Sequence, residues 1–300
     1  MNTGDGADSN DIAVVTDSTA SLTSADRERL GVEVVNLYTI VGDNQRREDE
    51  IDDLTSFYRD VIDSPTPSKT SQPSVGDFIE VYGPLLDQGK EIISVHLSAA
   101  ISGTYESARQ AADQLEAEGR GGERIHLVDS KAAAGALAFT ALATSNAVRE
   151  GLGVQGAIER AEAVAETQKN WILVETLDYL QKGGRIGGAE AFLGSALRIK
   201  PIITLDETVY PVEKVRTMGR AVQRMKDIAT EKASEGVEYV WTAQHIQAPE
   251  RMEELAAHCR EVFGNEGVFM DEMSTILGIQ AGPGLLALGT VPAEHVGAGR

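Results

Sequence analysis

A single cysteine among 300 residues, Cys259, excludes an intramolecular disulfide and any multi-cysteine metal site. Long apolar runs are also missing, and none approaches the roughly eighteen residues that a membrane-crossing helix needs. Residues 1–10 are polar and acidic and lack the basic start and greasy middle of a secretory signal. They read as a disordered lead on a soluble, cytoplasmic protein. Bases are scarce, with 27 against 47 acids for a net charge of −20, and only nine of the bases are lysines beside eighteen arginines. A field of that sign repels phosphate backbones and anionic membrane surfaces, which argues against nucleic-acid binding. The acids are spread along the chain. Such an acidic, lysine-poor surface suits a high-salt, halophilic cytoplasm, where screening removes the self-repulsion. An ordinary acidic protein is the plainer alternative.

Catalytic signatures are missing too. There is no G-x-S-x-G elbow. The five histidines (His96, His126, His245, His258 and His295) are scattered, and none has zinc spacing with another ligand. His96 and His126 fall in strand-like runs, where a hydrogen-bonded structural role is expected. Cys259 sits at helical spacing from Leu255, Val262 and Phe263 and reads as core packing. Gly151-x-Gly153-x-x-Gly156 spells a dinucleotide fingerprint but follows an alanine-rich helix instead of a strand. A helix end and connector explain those glycines. Gly282-Pro283-Gly284 follows a predicted strand over 274–280, but too little chain remains after it for the rest of a βαβ unit. No pair among the acids marks a carboxylate metal site. No cofactor is expected.

What is present is an ordinary globular balance, 42% hydrophobic and 25% charged, at a length that fits one large or two modest domains. Strands are predicted over 12–15, 34–41, 92–97 and 125–128, separated by helices. Two of those helices open on capping-box candidates, Thr23-Ser24-Ala25-Asp26 and Ser74-Val75-Gly76-Asp77. Residues 64–74, rich in proline and hydroxyls, read as a loop. The alternation argues a parallel sheet covered by helices, which puts the loops 16–19, 98–104 and 129–131 on one edge of the sheet.

The second half has a different rhythm. Strands are predicted over 171–175, 201–205, 209–215, 237–242, 268–272 and 274–280, with a glycine-rich loop at 182–188 and a helix from it to 198. A hairpin at Asp206-Glu207-Thr208 within these units suggests a mixed sheet and a separate domain. The expected organisation is an α/β N-terminal domain over 11–168 and an α/β C-terminal domain over 169–300.

Two hydroxyl-rich segments stand out. Thr70-Ser71-Gln72-Pro73-Ser74 and Ser98-Ala99-Ala100-Ile101-Ser102-Gly103-Thr104 both precede predicted helices. Hydroxyls and N–H groups at helix starts bind carboxylates through neutral donors. Capping alone also favours such residues.

These motifs carry a family resemblance. Val15-Thr16-Asp17-Ser18-Thr19-Ala20, Thr70-Ser71-Gln72-Pro73-Ser74, Ile101-Ser102-Gly103-Thr104-Tyr105-Glu106-Ser107-Ala108, Leu177-Asp178-Tyr179-Leu180-Gln181-Lys182-Gly183-Gly184-Arg185-Ile186, Ile199-Lys200-Pro201-Ile202 and Gly282-Pro283-Gly284 resemble, in order and spacing, the motifs of the DegV family. The resemblance implies a non-catalytic lipid-binding protein that holds one long-chain fatty acid between two domains. It also implies a partner, a separate ATP-dependent fatty acid kinase to which the acid is presented. By motif, Thr70, Ser71, Ser102, Gly103 and Thr104 become candidate ligand-binding residues, with Thr70 and Ser102 bonding the carboxylate. The family's head-group histidine corresponds to Gln280, which offers a donor and an acceptor but no titratable charge. Arg216 and Arg220 correspond to the kinase-docking region, and Arg185 to a helix cap or cleft wall.

A halophilic archaeal source, with isoprenoid ether lipids expected, would make the ligand an isoprenoid-like amphiphile. An enzyme or a regulatory sensor acting on a small acidic ligand is the alternative use of the same cleft. A long apolar tunnel favours the carrier and a short polar pocket the enzyme.

Overall fold

The computed structural model describes residues 11–194 and 199–297, so the expected lead over 1–10 and the last residues of the helix expected to reach 198 lie outside the described residues. The first strand, β1 (Ile12–Asp17), is buried at every position. The chain continues through α1 (Ser24–Leu30), β2 (Val32–Val35), β3 (Tyr38–Val41), β4 (Asn44–Arg47), α2 (Leu54–Asp63), β5 (Lys69–Ser71) and α3 (Val75–Asp87). Next come β6 (Glu91–His96), α4 (Thr104–Ala117), β7 (Ile125–Asp129), α5 (Ala134–Arg149) and α6 (Gly153–Thr167). Strands β2, β1, β6 and β7 form a parallel sheet in that order, as the alternation predicts. Both capping candidates are used. Thr23 accepts from Asp26 N–H, and Ser74 and Asp77 cap each other's backbone at the start of α3.

The remaining elements are β8 (Lys169–Leu173), α7 (Asp178–Gly183), β9 (Lys200–Asp206), β10 (Thr208–Val215), α8 (Met218–Ala233), β11 (Tyr239–His245), α9 (Pro249–Phe263), α10 (Thr275–Ala281), β12 (Leu286–Pro292) and α11 (Ala293–Val296). A five-stranded sheet runs β10-β9-β8-β12-β11, and every pairing in it is antiparallel. This corrects the expected mixed sheet. The parallel neighbour would have required crossovers between adjacent strands, whereas the long connections here return strands in alternating directions.

Other departures have local causes. The apolar run 34–41 splits in two at Asn36-Leu37, where Ser18 Oγ accepts from Leu37 N–H and draws the chain away from the parallel sheet. Strand β3 then joins β4 and β5 in a small antiparallel sheet. Strand β5 lies inside the expected loop 64–74; pairing with β3, Thr70 opposite Thr39, makes it a strand. Residues 274–280 form helix α10 instead of a strand. Their β-branched residues favour a strand locally, but Ser274 caps Ile276 N–H and a distant carboxylate completes the cap. Segment 268–272 stays irregular apart from one bridge between His245 and Glu272. Strand β12, which pairs with both β8 and β11, lies outside the strands that the sequence pattern predicts. The segment after the glycine-rich loop is a short 3-10 turn over Gly187–Phe192.

Helix α5 is buried at every position from Ala134 to Val148. A helix apolar all round belongs in an interior, and its alanines let both sheets approach. Val14 and Ile93 of the parallel sheet share one core with Leu137, Phe139 and Leu142 of α5 and with Val240 and Val291 of the antiparallel sheet. The core is thus continuous across the expected boundary at 168/169.

Candidate functional site

Pleating sends alternate residues of a strand to opposite faces, and the antiparallel sheet uses this to build a cavity floor. One row across it is Gln244, Ala287, Ile172 and Ile203. The adjacent row includes Thr242, Gly289 and Asn170. All of these line a cavity of about 1150 Å³, measured with its opening. Intervening residues such as Ile202 and Leu173 face the other way, into the core beneath α8 and α9. Leu97, Ile101 and Ala133 from the loops after the parallel strands wall the cavity, and Ile276, Leu277 and Ala281 of α10 close it.

Polar side chains gather at one end. Gln280 Nε2 donates to Thr70 Oγ1 at 2.8 Å. Ser102 Oγ lies 2.9 Å from Thr104 Oγ1 and accepts from Thr104 N–H. Arg185 Nε donates to Ile101 O, next to Ser102, and its Nη1 to Gly183 O at 2.6 Å. Gln72 lies over Gly103, where a Cβ would come within 2.5 Å of the glutamine amide. Because Gln280 donates into the Thr70 oxygen, the Thr70 proton is free to point at an acceptor in the cavity.

A family model described as "Uncharacterised protein, DegV family" matches residues 11–293. The chain belongs to the DegV family. A DegV domain-containing protein of Streptomyces coelicolor is 36% identical over 280 residues, 92% of this chain and 97% of its own length. A fatty-acid-binding DegV family protein of Thermus thermophilus superposes with a TM-score of 0.84 at 29% identity, covering 94% of this chain and 99% of the other. DegV of Bacillus subtilis, a fatty acid binding protein, gives 0.83 at 29% identity with the same coverage.

In this DegV chain, Thr70, Ser102 and Gln280 meet at the cavity although Thr70 and Gln280 are 210 positions apart. Ser71 does not join them. It lies on the opposite face of β5 and its hydroxyl donates to Gln72 O. Thr104 is fully buried behind Ser102, and Gly103 makes room for Gln72. Gln72 is the lining residue that attention to hydroxyls passed over; period two from Thr70 places it on the same side. Arg216 and Arg220 are exposed where β10 leads into α8, on the face of the sheet away from the cavity, and make no ion pair among the described residues. Gly282 gives space to the Tyr179 ring of α7 and Gly284 to Glu175, so the Gly-Pro-Gly turn packs against protein.

His96 and His126 resolve as structural. Asp17 Oδ2 lies 3.1 Å from His96 Nδ1, and His96 Nε2 lies 2.7 Å from Ser94 Oγ, which pairs with Tyr82 OH. The order is that of a nucleophilic triad, but all four side chains are sealed from solvent and none lines the cavity. This chain instead ties β1, β6 and α3 together. His126 pairs with Glu91 at 2.8 Å. Cys259 is fully buried, and burial pushes its thiol up to about 12. Among the described residues no acid, histidine and cysteine cluster could hold a metal ion, and no helix is long and apolar enough to cross a membrane.

Proposed function

We propose that this DegV protein is a cytoplasmic carrier that holds one long-chain fatty acid, or an amphiphile of similar shape, and does no chemistry on it. The acyl chain lies over the antiparallel sheet. Its carboxylate sits among Thr70, Ser102 and Gln280, with Arg185 beside it. The observation that carries this reading is a mostly apolar cavity lining with Thr70, Ser102 and Gln280 gathered at one end beside Arg185. The fatty acid binding of the Thermus and Bacillus relatives supports the same reading. Each buried methylene contributes about 0.8 kcal/mol, so chain length dominates the hold.

The bound acid is then presented to a separate ATP-dependent kinase that docks at Arg216 and Arg220. Two unpaired, exposed arginines in a chain of net charge −20 support this assignment. Both segments, before and after the 168/169 boundary, supply walls of the cleft.

Calorimetry of delipidated protein with saturated C14 to C20 acids at multimolar salt tests the carrier reading. One-to-one binding that strengthens with chain length is expected, and no binding of any of them overturns it. Arg216→Glu with Arg220→Glu should leave acid affinity unchanged and abolish kinase-dependent phosphorylation.

A further inference from the structure

The cavity carries a further polar group that an alkyl chain cannot use, on a strand that bears none of Thr70, Ser102 and Gln280. Gln244 is 1% exposed and lines the cavity from strand β11. Its Oε1 accepts from Gly135 N–H at 2.7 Å, which fixes the orientation of the amide. Nε2 is therefore the amide's free donor group. It is buried and makes no hydrogen bond to any described residue. Buried amide donors are rarely left in this state.

Gly135 belongs to the first turn of α5, a sixteen-residue helix with no side-chain cap of its own. A Cβ at Gly135 would come within 2.6 Å of Thr242, so glycine is what lets the helix start reach Gln244. Ala133, Ala134 and Ala136 of the same turn also line the cavity. This corner thus offers the unpaired Gln244 amide donor beside the positive end of a helix dipole.

The corner lies towards the opposite edge of the sheet from the chain that follows Arg185. The chain after Arg185 runs beside β10, where a Cβ at Gly187 would lie 2.6 Å from Val209 O. Gln244 is on β11, the opposite edge strand of the sheet. Three strand spacings separate β11 from β9, about 14 Å at the usual interstrand distance.

We infer that Gln244 Nε2 and the first turn of α5 form a second polar subsite, which takes an acceptor oxygen on the distal half of the bound amphiphile. The ligand class is an oxygenated long-chain acid, with the oxygen in a keto group, a hydroxyl or a second carboxylate. This inference rests on the carrier reading above and narrows its ligand.

The test compares stearic acid with its 12-oxo derivative, ω-hydroxystearic acid and octadecanedioic acid by calorimetry, on wild type and on Gln244→Leu. At least one oxygenated acid should bind wild type about tenfold more tightly than stearic acid. Gln244→Leu should erase that preference. The identity of the preferred acid tells a keto or hydroxyl group from a carboxylate. Equal or weaker affinity of wild type for every oxygenated acid overturns the inference while leaving the carrier reading intact. Binding of none of the four acids overturns the carrier reading itself. If Gln244→Leu does not fold, the wild-type preference alone decides.

Discussion

Gln280 and Thr70, 210 positions apart, are joined by a 2.8 Å hydrogen bond in which the glutamine donates. The bond links α10 to β5 and leaves the threonine proton available to the cavity. It makes the head-group end depend on two segments that share no local structure.

Thr70→Ala should therefore weaken binding of a fatty acid by about ten- to 150-fold, the equivalent of losing one hydrogen bond to a charged group at ~1.5–3 kcal/mol. Ser102→Ala should behave alike and also lower stability by about 1 kcal/mol, because Ser102 Oγ accepts from Thr104 N–H. Paired calorimetry and thermal melts separate the effects. Unchanged affinity in both variants would remove these residues from the site.

Gln280→His introduces a titratable group beside Thr70. Binding of a carboxylate should then become pH-dependent, tighter below the imidazole pKa, where the ring is cationic, and weaker above it. Isotherms at pH 5.5 and 8 should diverge for the variant relative to wild type. Parallel behaviour of the two proteins would place Gln280 away from the carboxylate.

Glu48 makes a prediction about stability. Its buried carboxylate accepts from Ser274 Oγ at 2.6 Å, from Thr275 Oγ1 at 2.8 Å and from Ile276 N–H, capping the helix that carries Gln280. Burial raises its pKa, against the opposing pull of these hydrogen bonds. The folded protein therefore holds this proton more firmly than the unfolded chain does. Stability from this group is full below the unfolded carboxylate value and falls as pH rises towards the raised folded value. Glu48→Gln should flatten that slope and match or exceed wild type at neutral pH. Glu48→Ala, which strands both hydroxyls, should cost ~2–3 kcal/mol. Denaturant melts across pH 4 to 8 measure both, and a wild-type stability that climbs with pH in step with Glu48→Gln would contradict this account.

Salt should raise the melting midpoint, since a net charge of −20 repels itself when unscreened. A midpoint that stays flat or drops with added KCl would leave an ordinary acidic protein with no adaptation to salt.

The parallel half of the fold is legible in local sequence signals. Alternating apolar runs and capped helices are local signals, and Thr23, Ser74 and the buried run of β1 answer to them directly. The ordered motifs also determined the family. Local signals could not decide α10, whose β-branched residues point to a strand until Glu48, 226 positions before Ser274, caps the turn. Nor could they decide β5, which is a strand only because β3 pairs with it. The same holds for the site. Thr70 and Ser71 are equal as letters, and pairing on β3 decides that Thr70 meets Gln280 while Ser71 bonds its neighbour's carbonyl. Gln72 enters the cavity for the same reason, and Gln244 becomes an unpaired donor only once α5 docks its first turn against β11. Side-chain periodicity is encoded within a segment, but the partner that selects a face and satisfies a polar group comes from elsewhere in the chain, so only the tertiary structure could supply it.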